Sequence, residues 1–65
     1  MNPIKERVKV ELDELQMRLT KLKRFVESER ITTVSDEMAD LLRQQYVIMQ
    51  QYRDILKKRI ALMED

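Results

Sequence analysis

The sequence contains no cysteine, no histidine and no glycine, and a single proline, Pro3. Without cysteine or histidine there is no disulfide framework, no common zinc finger and no thiol or imidazole chemistry, and nothing signals an oxidising, secreted compartment. Without glycine there is no phosphate-cradling loop. The few Ser and Thr residues have no base beside them to activate a hydroxyl, so an enzyme is not expected. No apolar run approaches the roughly 20 residues that span a bilayer. The start Met1-Asn2-Pro3-Ile4-Lys5-Glu6 also lacks the charged-then-apolar order of a signal peptide, which leads us to expect a cytoplasmic protein.

What is present is charge of both signs on a short chain. Thirteen Lys and Arg face twelve Asp and Glu over 65 residues, a formal net charge of +1. Such mixing suits solvated helix faces and gives no basic footprint for nucleic acid, so any anion must be attracted by a local cluster. A chain this short buries too small a fraction of its surface to be comfortably stable, and with disulfides and metals excluded, self-association is the remaining route to stability.

The hydrophobic pattern is helical throughout. Asn2 is a cap and Pro3 a favourable first position for a helix over about 3–28. Its seam repeats at steps of four and three through Val8, Leu12, Leu15, Leu19, Leu22 and Val26, extended backwards by Ile4, with Glu14 placed to pair with Arg18. The β-branched stretch Ile31-Thr32-Thr33-Val34 interrupts the seam and predicts a turn over about 29–35. Ser35, followed by Asp36 and Glu37, caps a second helix over about 36–63, with Val34 and Ala39 as a weak hydrophobic staple. The expected fold is all-α: one antiparallel helical hairpin over 1–65, assembling into a homo-oligomeric helical bundle, a dimer or a larger ring using a second strip at Val10 and Met17.

The second helix carries two apolar columns of seven-residue spacing, Leu41, Ile48, Ile55, Leu62 and Leu42, Met49, Leu56, Met63, with Gln45, Tyr52 and Arg59 between them. This polar row is expected to face the interior of the bundle, with Tyr46 on the exposed side. There the row either fixes register and oligomer state, Arg59 being paired by Glu11, Glu14 or Asp54, or holds a polar ligand. Arg18 and Lys21, with Lys23 and Arg24 after them, border the first seam. Arg and Lys near a tyrosine ring is how proteins hold phosphates and bases, although a charge run is also an ordinary solvated face. Carboxylate spacings such as Asp36 with Asp40 or Glu11 with Glu14 are ordinary surface charges, and no metal or cofactor is expected.

Glu14-Leu15, Arg18 through Val26, Leu41-Leu42, Gln45, Met49, Tyr52, Ile55-Leu56 and Arg59-Ile60 resemble a family of small all-helical accessory proteins of crAss-like and related phages. The resemblance implies a phage-encoded protein acting in the host cytoplasm. At the level of class, phage proteins of this kind include sponges that sequester cyclic nucleotide immune signals. On that analogy the expected function is counter-defence by non-catalytic binding of a cyclic dinucleotide or related signalling nucleotide, with Arg18, Lys21, Gln45, Tyr52 and Arg59 as ligand-binding residues. The alternative is a helical interaction protein that binds and inhibits or bridges a host or phage protein. Near-neutral charge disfavours nucleic acid as a partner.

Overall fold

The computed structural model describes residues 2–64: helix α1 (Pro3–Glu27), a 3₁₀ turn (Glu29–Thr33) and helix α2 (Asp36–Leu62). Both helices begin where their caps dictate. The Asn2 side-chain oxygen accepts from the N–H groups of Ile4 and Lys5 at 3.0 and 3.2 Å, and the Ser35 hydroxyl accepts from Met38 N–H at 3.1 Å. At the other end of α1, Ser28 leaves helical geometry, donating its hydroxyl to the Phe25 carbonyl at 2.9 Å and accepting Arg30 N–H at 3.2 Å. The expected turn is thus a short helix in its own right. Thr32 and Thr33 stabilise it by donating their hydroxyls to the carbonyls of Glu29 and Arg30, so the β-branched stretch satisfies its backbone locally.

The hairpin closes antiparallel. The Asn2 side-chain amide donates to the Glu64 carbonyl at 2.8 Å and the Lys5 ammonium to the Met63 carbonyl at 3.3 Å. Asn2 thus caps α1 with its oxygen and holds the C-terminal end of α2 with its nitrogen. The result is a rod of 46 × 15 × 13 Å. Its radius of gyration of 14.8 Å exceeds the roughly 11 Å of a compact domain of this length.

The core is one seam. From α1 it takes Lys5, Val8, Leu12, Leu15, Leu19, Leu22 and Val26, and from α2 Ala39, Leu42, Tyr46, Met49, Arg53, Leu56, Ile60 and Met63, all buried or half-buried. Leu56 is wholly enclosed, against Val8 and Leu15. The structure corrects two sequence expectations. Ile4 is exposed, because the heptad phase of Val8 and Leu12 assigns the preceding seam position to Lys5, whose stem packs while its ammonium reaches the Met63 carbonyl. Among the described residues Glu14 and Arg18 do not pair; ion pairs join Lys9 to Glu6, Arg43 to Asp40 and Arg53 to Asp54, all on exposed or half-exposed surface.

Leu56→Ala empties the site that is fully enclosed among the described residues and is expected to lower unfolding stability by about 2–5 kcal/mol in urea melts, whereas Val47→Ala, on an exposed face, should stay within about 0.5 kcal/mol. Ser35→Ala removes an N-cap and should cost about 1 kcal/mol, with a helical circular dichroism spectrum retained.

Candidate functional site

The two columns of α2 have opposite fates. Leu42, Met49, Leu56 and Met63 join the core, whereas Leu41, Ile48, Ile55 and Leu62 stand on the surface, Ile48 61% and Leu62 85% exposed. Gln45, Tyr52 and Arg59 belong with the second group. Together with Met38 they complete a second heptad seam, Met38, Leu41, Gln45, Ile48, Tyr52, Ile55, Arg59 and Leu62. It is the core seam moved back by one residue, and so rotated by about 100° around the helix. Within the hairpin the polar row does not face the interior. It is solvent-exposed in the single hairpin, because one partner helix covers a stripe only two columns wide, and the expected place inside a bundle of several chains is a matter of assembly.

Tyr46 is the reverse case. It lies half-buried in the core seam rather than on the exposed side, its hydroxyl accepting from the Gln50 amide at 3.3 Å. Arg53, also half-buried in that seam, sets its guanidinium on Asp54 at 3.1 Å. Neither residue reads as core by type. Each fills a seam position with its ring or stem and brings its polar tip out to a neighbour.

The predicted site residues share one side of the hairpin. On α1, Ile4, Glu11, Arg18 and Phe25 form the column that borders α2's Met38, Gln45, Tyr52 and Arg59 column, and Lys21 lies just outside it. The closing bonds between Asn2 and Glu64 and between Lys5 and Met63 set the levels: Arg18 lies between Gln45 and Tyr52, and Lys21 beside Gln45. Arg59 lies near the level of Val8, about 15 Å along the axis from Arg18. One chain therefore brings Arg18, Lys21, Gln45 and Tyr52 near one another and leaves Arg59 apart.

Gln45 donates to the Met49 sulfur at 3.6 Å, a contact that steadies its amide on the surface. Among the described residues Arg18, Lys21, Arg24 and Arg59 have no carboxylate partner, and of the acids available to Arg59, Asp54 is taken by Arg53. Sequence reasoning missed a second feature. At the joint, Lys21, Arg24, Phe25, Ser28 and Arg30 line an open concavity of about 450 Å³, with the Arg30 guanidinium 5.4 Å from the centroid of the Phe25 ring. The basic run from Lys21 to Arg24 was legible; that the 3₁₀ turn folds Arg30 back over Phe25 was not.

No group of described residues has the composition of a metal site, and no helix is long and apolar enough to cross a membrane. The face carries the cations Arg18 and Lys21, the acid Glu11, the amide of Gln45, the ring of Tyr52 and an apolar border.

The chain is 42% identical over 55 residues to an uncharacterized 7.5 kDa protein in the denB-rIIB intergenic region of Enterobacteria phage T4, an alignment covering 85% of this chain and 86% of the phage protein. No solved structure matches. The model of the Sequestin family matches residues 2–62, nearly the whole hairpin with both seams, and the chain belongs to that family of small phage proteins.

Proposed function

We propose that this protein is a phage counter-defence sponge, which binds a cyclic nucleotide immune signal in a homo-oligomer and holds it without cleaving it. The observation that carries the reading is the side of the hairpin where Arg18, Lys21, Gln45 and Tyr52 converge, with cations that form no ion pair with a carboxylate among the described residues. The family's name, Sequestin, speaks of sequestration and supports a binding role over a catalytic one. Tyr52 supplies a flat ring for a base, Gln45 a donor and an acceptor for a base edge or ribose hydroxyl, and Arg18, Lys21 and Arg59 the charge for phosphates. On this reading the nucleotide is held and released intact, and the chain has neither histidine nor cysteine, two of the side chains most often used for proton transfer and nucleophilic attack.

The exposed outer seam of α2 favours a second reading, a helical interaction protein that docks on a host or phage protein and inhibits or bridges it. Native mass spectrometry of the purified protein with a panel of cyclic di- and trinucleotides separates the two. The sponge reading expects one nucleotide retained at a fixed ratio and recovered with unchanged mass. Retention of none, with one stoichiometric protein recovered repeatedly from infected cells, overturns it in favour of the second.

Arg59→Ala and Tyr52→Ala are each expected to weaken nucleotide binding by about 10- to 100-fold, the value of one charge-assisted hydrogen bond or one stacked ring, measured by calorimetry. The helical content should not change, because both side chains are exposed in the hairpin.

A further inference from the structure

The outer seam of α2 has a symmetry of its own. Its eight positions are disposed evenly about Gln50, so a second copy of α2 laid antiparallel on it, related by a two-fold axis at that level, meets it in complete layers. Met38 faces the partner's Leu62, Leu41 faces the partner's Arg59, Gln45 faces the partner's Ile55, and Ile48 faces the partner's Tyr52. Each of the three polar residues is set against an aliphatic one, and no layer is wholly polar.

The parallel alternative stacks Arg59 on the partner's Arg59 at an interhelical spacing of about 8–10 Å. It also places the acidic first turns together and the basic last turns together. Asp36, Glu37 and Asp40 begin α2, and Lys57, Lys58 and Arg59 end it. Antiparallel pairing sets each acidic end beside the partner's basic end and opposes the helix dipoles.

The surface is available for it. The chain exposes 5305 Å², against about 4,400 Å² for a compact monomer of its mass. The excess of about 900 Å² is close to the roughly 800 Å² that each partner of a standard interface buries. Most of the large exposed hydrophobic side chains, Met38, Leu41, Ile48, Tyr52, Ile55 and Leu62, lie on this one stripe.

We infer that two copies pair antiparallel through the outer seams of α2, and that this pairing completes the ligand site left divided in one chain. The composite ligand site rests on the proposed function; the pairing does not. The outer seam is turned about 100° from the direction of α1, so the partner's α2 runs beside the α1 edge that carries Arg18, Lys21 and Phe25. The two-fold relation brings the partner's Tyr52 to the level of Ile48, next to Arg18. It brings the partner's Arg59 to the level of Leu41, within about one and a half helical turns of Lys21 and at the mouth of the joint concavity. The arginine that is about 15 Å out of place within its own chain is supplied across the axis by the other.

The absence of native cysteine makes the pairing directly readable. Met38→Cys and Leu62→Cys variants, mixed under reducing conditions and then oxidised, are expected to give a mixed disulfide dimer in high yield, while either variant alone gives little. Self-linked dimers from each single variant, with no mixed species, would show parallel pairing and overturn the inference; no cross-linking at all also overturns it. Both positions are exposed in the hairpin, so folding is retained and is verified by circular dichroism.

The composite site has a separate test with a cyclic dinucleotide as probe. The R18A/K21A double variant and R59A should each bind poorly, yet their mixture should recover about a quarter of wild-type capacity, because half of the dimers are mixed and each mixed dimer has one intact site. No recovery, in the presence of mixed cross-linked dimers, places the site within a single chain and overturns the composite site. If wild type binds no nucleotide while the mixed disulfide forms, the proposed function fails and the pairing stands.

Discussion

One helix with two seams, and among the described residues only one other long helix to cover them, is the constraint on which this molecule turns. The seams of α2 differ by a single residue of register, or about 100° of rotation, too far apart for α1 to reach both. The core seam takes α1, and its layers account for every residue of the buried cluster, Val8, Leu15 and Leu56 included. The outer seam leaves Ile48, Ile55 and Leu62 in water. At roughly 25 cal/mol per Å² of apolar surface, leaving such a stripe uncovered forfeits a sizeable part of what a 65-residue chain can gather.

The ends of the hairpin show how a glycine-free chain manages its turns. No described residue has positive φ, so neither helix ends in a left-handed cap. Extended residues stand there instead, Ser28 after α1 and Met63 after α2, each with its N–H returned to the carbonyl three residues back. Hydroxyl groups complete the joint, with Ser28, Thr32 and Thr33 all bonded to nearby backbone. This local satisfaction gives the joint a fixed shape, and that shape holds Arg30 over Phe25 beside Lys21 and Arg24.

Much of this was legible in the sequence because its signals are local. Asn2 and Ser35 cap the helices they were expected to cap, and the α1 seam from Val8 to Val26 is the buried one. What misled was a question that periodicity does not answer. Seven-residue spacing identifies columns on a helix, and it is silent about which adjacent pair of columns the partner chooses. The two wholly aliphatic columns of α2 look like the natural core, yet the core took Leu42, Met49, Leu56 and Met63 together with the mixed column Ala39, Tyr46, Arg53 and Ile60. Within that mixed column the small Ala39 is buried near the joint. Tyr46 and Arg53 follow into the seam because their long side chains can place polar tips at its edge. The row Gln45, Tyr52 and Arg59, grouped by its spacing, turns away from α1 within one hairpin.

That outward turn alters what the polar row can do. A buried Gln, Tyr and Arg in a hairpin core would be register devices, costly to leave unpaired and closed to any ligand. On the surface of one chain they cost little, and they acquire a defined setting only when something covers the aliphatic residues among them. In the proposed paired site, binding and assembly become linked quantities. A ligand bridging cations from two chains stabilises the assembly that holds it, and protein concentration sets the fraction of sites that are whole. Such linkage favours stoichiometric capture, because assembly and capacity rise together as the protein accumulates, and each captured ligand makes its own release more dependent on separating two helices. A catalytic protein turns over and so gains from letting go. A sponge, as proposed, gains from holding on, and in the proposed pairing Arg59 at the end of the exposed seam serves both the assembly and the ligand.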